Sequence, residues 1–94
     1  MSLKFEWNPN KAKKNIEKHG VSFEEAATAF SDFLSITYGD PDHSHYENRY
    51  VIIGLSSFGN LLFVSHTETD DRIRIISARK LTRKERKQYE QQRI

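Results

Sequence analysis

The 94-residue sequence contains no cysteine, one methionine, one tryptophan, two prolines and four glycines. Without cysteine there are no disulfides, no thiolate nucleophile and no thiolate zinc centre, so any chemistry falls to His, carboxylates, Lys, Arg, Tyr and Ser or Thr. No apolar run approaches the roughly 20 residues that a membrane span requires. The segment Met1 to Trp7 also lacks the basic-then-apolar order of a signal peptide. These absences predict a cytoplasmic protein with no membrane association. There is no repeat, low-complexity run or linker, and the length suits a single domain over residues 1–94 that buries roughly two thirds of its unfolded surface.

What is present is charge and aromatic mass. Charged residues make up 30% of the chain, yet six Phe and four Tyr remain to build a core with the Ile, Leu and Val residues, which argues against disorder. The formal net charge of +2 hides a division along the chain. Residues 1–20 sum to +3, residues 21–71 to −8 and residues 72–94 to +7, and 3 − 8 + 7 = +2. Basic ends around an acidic middle suggest a surface for a polyanion, or else a merely solvated basic face.

Leu3 to Trp7 alternates as a short strand. Asn8-Pro9 then starts a helix that Gly20 ends, predicting Pro9 to His19 with Ala12 and Ile16 as its apolar stripe. Ser22 and Glu25 have capping-box spacing and open a second helix from Phe23 to Phe30, whose Phe23, Ala26, Ala27 and Phe30 form a core-facing stripe. Leu34 to Tyr38 reads as a strand, followed by a polar, turn-rich loop through His45. Strands at Arg49 to Ser56, Leu61 to Thr69 and Arg72 to Ala78 are joined by connections short enough for hairpins. Thr82 and Glu85 form another capping box that starts a terminal helix running to about Gln92. The order β-α-α-β-β-β-β-α is an α+β domain with an antiparallel sheet packed against helices.

Chemistry-bearing residues concentrate on the late strands. Arg72 and Arg74 share one face of their strand, and Arg79 lies just past it, where the alternation ends. His66 and Glu68 share a face of the neighbouring strand. An imidazole and a carboxylate beside arginines can serve as acid, base and phosphate ligands, although the same residues could simply form cross-strand ion pairs. His43 and His45 with Asp40, Asp42 and Glu47 are metal-ligand types, but nothing anchors a second cluster, and the stretch reads as an acidic loop without metal. Lys11, Lys14 and Lys18 occupy one face of the first helix, solvated or against an RNA backbone. Tyr89 on the last helix could pack or stack on a base.

Several blocks together resemble the BrnT toxins of bacterial type II toxin–antitoxin pairs. They are Phe5-Glu6-Trp7-Asn8 with Lys11 and Asn15, Lys18-His19-Gly20-Val21-Ser22-Phe23-Glu24-Glu25-Ala26, and then Arg49, Ile53-Gly54 and His66-Thr67-Glu68. The run Ile73-Arg74-Ile75-Ile76-Ser77-Ala78-Arg79 and Arg83-Lys84-Glu85-Arg86 with Tyr89 complete the pattern. Asn8 departs from the Asp common at that position in the family, and both residues cap a helix. The resemblance implies a RelE-like fold and an endoribonuclease that arrests translation. It also implies a BrnA antitoxin with a ribbon-helix-helix region, through which alone DNA would be bound. The family's functional positions map to His66, Arg79 and Arg83.

The expected mechanism is metal-independent and needs no cofactor: the ribose 2′-hydroxyl attacks the adjacent phosphate, His66 or Glu68 accepts its proton, and Arg79 with Arg74 or Arg72 stabilises the phosphorane. Arg83, Lys84, Tyr89 and Lys11 would hold the RNA. The rival expectation is a non-catalytic module that binds nucleic acid or protein through its basic ends.

Overall fold

The computed structural model describes residues 3–40 and 48–92. The elements are β1 (Lys4–Glu6), α1 (Pro9–His19), α2 (Phe23–Thr28) continued by a 3-10 turn (Ala29–Ser31), β2 (Ile36–Gly39), β3 (Arg49–Leu55), β4 (Leu61–Thr69), β5 (Arg72–Lys80) and α3 (Arg83–Gln92). One five-stranded sheet in the order β1-β5-β4-β3-β2 carries them. Strands β2 to β5 pair antiparallel as expected, whereas β1 joins β5 in parallel, which makes the sheet mixed.

Local chemistry explains the helix ends. The side chain of Asn8 accepts the amides of Asn10 and Lys11 at 2.8 and 3.2 Å, and Gly20 closes α1 at φ 70° with its N–H donated to Ile16. The Thr82–Glu85 box is complete in both directions. The Ser22–Glu25 pair makes only half of its box: Ser22 accepts the Glu25 amide, while the Glu25 carboxylate turns away to accept Ser56 Oγ at 2.7 Å and Asn60 Nδ2 at 2.9 Å. Glu25 thereby ties α2 to the turn between β3 and β4. Gly54 brings β3 against the 3-10 turn so closely that a Cβ there would stand 2.7 Å from the Ala29 carbonyl oxygen.

Helices α1 and α2 cover one face of the sheet, hereafter the inner face. Its core contains Val21, Phe23, Ala26, Ile52, Leu62, Val64, Ile73, Ile75 and Ala78, with Phe5, Trp7 and Phe30 packed against them. The terminal helix α3 lies on the opposite, outer face, over Ile36, Ile53 and Phe63 at the β2 side. Helices therefore flank the sheet on both faces, and α3 leaves part of the outer face uncovered.

The inward residue of α1 is not the expected Ile16, which is half exposed, but Asn15. Its Nδ2 donates to the carbonyls of Val21 and Ala78 at 2.9 and 2.8 Å, and its Oδ1 accepts the Ala78 amide at 3.1 Å. Parallel pairing with β1 reaches only Arg74, so Ala78 lies on an edge that β1 does not cover. The carboxamide bonds both polar atoms of Ala78 as a neighbouring peptide would. Asn15→Ala is expected to leave three buried backbone groups unpaired and to destabilise the protein by about 2–4 kcal/mol, measured as a lower urea midpoint with an unchanged slope.

Candidate active site

Strand register decides which side chains can meet. Pairing of β4 with β5 shifts between Ser65 and His66, so that Ser65 faces Ser77 while His66 faces Ile75. Ile76 is the extra residue, a β-bulge that reverses the alternation of β5 beyond it. Arg72 and Arg74 before the bulge and Arg79 after it consequently all emerge on the outer face. His66 emerges on the inner one.

His66 is fully buried, its ring edge-on to Phe30 at 4.8 Å and stacked with Tyr50 at 6.0 Å. Nε2 donates to Glu68 Oε2 at 2.8 Å, and the Glu68 side chain is 43% exposed. A fully buried imidazole cannot touch a polymeric substrate. The expected convergence of His66 with Arg79 on one phosphate is therefore not realised.

On the outer face a groove of about 340 Å³ is lined by Thr67, Thr69, Arg72 and Arg74, with Glu6 and Asn48 at its sides and Glu68 at its border. The groove unites Arg72 and Arg74, but the expected meeting of the Glu68 carboxylate with them is not realised, because Glu68 faces Ile73 and its side chain lies with His66 on the inner side of the sheet. Arg72 Nη1 donates to Glu6 Oε1 at 2.9 Å, which raises the guanidinium pKa, the hydrogen bond being the main cause. The pair is exposed on both sides and carries little stability. Arg49 faces Thr67 across β3 and β4, and Thr67 faces Arg74, so two arginines flank one threonine in a single outer-face row. Arg49 is a site residue that pattern reasoning missed, since it stands alone among acidic residues in the sequence. Its position at the first residue of a strand beside the His66-Thr67-Glu68 strand is the signal that could have found it.

Arg79 occupies a different place. Its guanidinium lies 4.2 Å over the Phe63 ring and donates Nη1 and Nη2 to the two carboxylate oxygens of Glu85 at 2.7 and 2.9 Å. This fork holds Glu85 down at about 2, chiefly by the Arg79 hydrogen bond against the opposing effect of burial, with help from Thr82. Arg79 thus fastens α3 to the sheet and is not directed into the groove. Beside it, Ile36, Tyr38, Ile53, Phe63, Gln88 and Tyr89 enclose a cavity of about 500 Å³.

The remaining expected contacts are dispersed. Tyr89 is 2% exposed and its hydroxyl donates to the Leu34 carbonyl at 3.4 Å, so it packs α3 and offers no open ring face to a base. Arg83 lines a separate depression with Lys80 and Arg86, and the neighbouring Lys84 is exposed on α3. Lys11 is exposed on α1, in the helical layer across the sheet from the groove, so the two basic chain ends do not build one face. Asp42, His43, His45 and Glu47 fall outside the described residues. Among the described residues no group of three His, Asp or Glu side chains is placed to hold a metal ion. No helix among them is long and apolar enough to cross a membrane.

Arginines gathered on one sheet face beside a groove are equipment for holding a phosphodiester. A small α+β protein that binds nucleic acid is the class that this fold and groove define. The description of a family of ribonuclease toxins, BrnT, of type II toxin–antitoxin systems, matches residues 7–85, and the chain belongs to that family. The 1.1 Å crystal structure of the Brucella abortus ribonuclease toxin BrnT shares the fold, with a TM-score of 0.68 at 24% identity over 87% of this chain and 100% of that one. No curated protein matches the sequence. Family membership implies an antitoxin partner and an RNA target.

The Arg79–Glu85 fork has a pH signature. Glu85 ionises at about 2 in the fold against its ordinary 4.5, so the pairing stabilises the protein fully above the unfolded value and is lost as pH falls toward 2. Urea midpoints of the wild type and Glu85→Gln are expected to differ most at pH 6 and to converge between pH 4.5 and 2.

Proposed function

We propose that the protein is an endoribonuclease whose reaction takes place in the Arg72–Arg74 groove on the outer face of the sheet. The observation that carries this reading is that Arg49, Arg72 and Arg74 stand on one sheet face, with Arg72 and Arg74 lining one groove. The ribose 2′-hydroxyl gives its proton to water as its oxygen attacks the adjacent phosphorus. Arg74 and Arg72 bind the non-bridging oxygens, where negative charge grows in the phosphorane. The 5′-oxygen departs and takes a proton from water, leaving a 2′,3′-cyclic phosphate and a 5′-hydroxyl end. His66 holds the Glu68 carboxylate on the inner face, so neither group takes part in the groove. DNA lacks the nucleophile and is not cut.

No step uses a metal ion, so cleavage should proceed in EDTA. The cutting of RNA arrests translation in the cytoplasm, and a BrnA-type ribbon-helix-helix antitoxin neutralises the protein; family membership supports both statements. The roles first expected for Arg79, Arg83, Lys84, Tyr89 and Lys11 become supporting ones: Arg79 and Tyr89 seat α3, and the exposed cations attract RNA at a distance.

The test is cleavage of a labelled RNA by purified protein in EDTA. Arg74→Ala and Arg72→Ala are each expected to lower the rate by about 10²–10⁴-fold with wild-type thermal stability, and Glu68→Gln to leave it near the wild-type value. Intact RNA at saturating wild-type protein would leave a binding module in place of an enzyme. Cleavage of a matched DNA strand would remove the 2′-hydroxyl mechanism, and activity abolished by EDTA would remove metal independence.

A further inference from the structure

The cavity under α3 takes no part in the chemistry proposed for the groove, yet it borders the same sheet face. Tyr38 stands opposite Val51 on the neighbouring strand, and Val51 faces Ser65, which faces Ser77. The next outer-face row along the same strands is Arg49, Thr67 and Arg74. One such step along a strand is about 7 Å. The cavity thus opens beside the arginine row, separated from it by small hydroxyl side chains.

We propose that this cavity is a nucleobase subsite, which takes the base of a nucleotide adjoining the phosphate bound by the arginine row. Its volume of about 500 Å³ lies within the range of small-ligand sites. The Tyr38 ring, 44% exposed at its side, supplies a stacking surface, and Ile36, Ile53 and Phe63 supply an apolar floor. Gln88 at the α3 wall carries both a donor and an acceptor, which is what reading the edge of a base requires. Burial, reinforced by Glu85 and Asp40, raises the Tyr38 phenol above its ordinary value, so at neutral pH it remains a hydrogen-bond donor. The Glu85 carboxylate in the wall is matched by the Arg79 fork and does not present an uncompensated negative charge to an incoming nucleotide.

This inference takes its ligand class from the ribonuclease reading, but base binding can be measured without cleavage. Protein labelled at isoleucine methyl groups would be titrated with each of the four ribonucleoside monophosphates and with ribose 5-phosphate. The nucleotides are expected to shift the methyl signals of Ile36 and Ile53, and ribose 5-phosphate to leave them in place. Tyr38→Ala should weaken nucleotide binding about tenfold and Tyr38→Phe much less. Gln88→Ala, an exposed change on α3, should keep the fold and even out the preference among the four bases.

Silent Ile36 and Ile53 signals at millimolar nucleotide would overturn the subsite, as would equal shifts with ribose 5-phosphate or unweakened binding by a folded Tyr38→Ala protein. If the methyl signals respond while RNA stays intact, the subsite stands and the cleavage reading falls. If RNA is cut while they stay silent, the subsite falls and the cleavage reading stands.

Discussion

Where β1 stops, the edge of β5 would present bare peptide groups to solvent, and the carboxamide of Asn15 takes the place of the missing strand. An uncovered edge is a site for pairing with other chains, and a buried peptide group without a partner is costly. One polar side chain answers both constraints. It also sets the height and rotation of α1 on the sheet, because its amide must reach Val21 and Ala78 together. With α1 and α2 so placed, the inner face is closed, and an open working surface can exist only on the other side.

The β-bulge at Ile76 then allocates side chains between the two faces. A regular β5 would send Arg79 to the side opposite Arg72 and Arg74, into the helical core. The extra residue returns it to the outer face, where it lies over Phe63 and grips Glu85. On β4, which is not bulged, His66 stays inward and bonds Glu68, two residues later on the same face. The surface is thus a product of phase: β4 keeps its alternation and holds His66 and Glu68 on the inner side, while β5 slips by one residue and carries Arg72, Arg74 and Arg79 alike to the outer one.

This also explains what could be read from the sequence. The bounds of α1 and β4, the capping residues Asn8 and Thr82 and the meander are local, written in alternation, caps and turn lengths. The grouping of Arg72 with Arg74, and of His66 with Glu68, followed from the same period of two. The depth of each face was not legible, because burial depends on what packs from elsewhere: Phe30 and Tyr50 enclose His66, and Leu34 receives Tyr89. Parallel pairing of β1 joins segments 68 residues apart, as in Lys4 with Arg72, and no local pattern announces it. The adjacent apolar pair Ile75-Ile76 inside an alternating strand was the visible trace of the bulge, and Asn15 on an otherwise solvated helix was the trace of the edge cap.

Parallel β1–β5 pairing has a further meaning for how the molecule is made. Glu6 on one bank of the groove belongs to the opening of the chain, and Arg72 and Arg74 on the other to its last quarter. During synthesis the first strand waits through most of the polypeptide before its neighbour exists, and loop closure over that separation is among the slower steps of folding. A nascent chain therefore has no assembled groove while its ribosome is still reading the early message. Topology alone postpones the completed surface until the arginines have emerged.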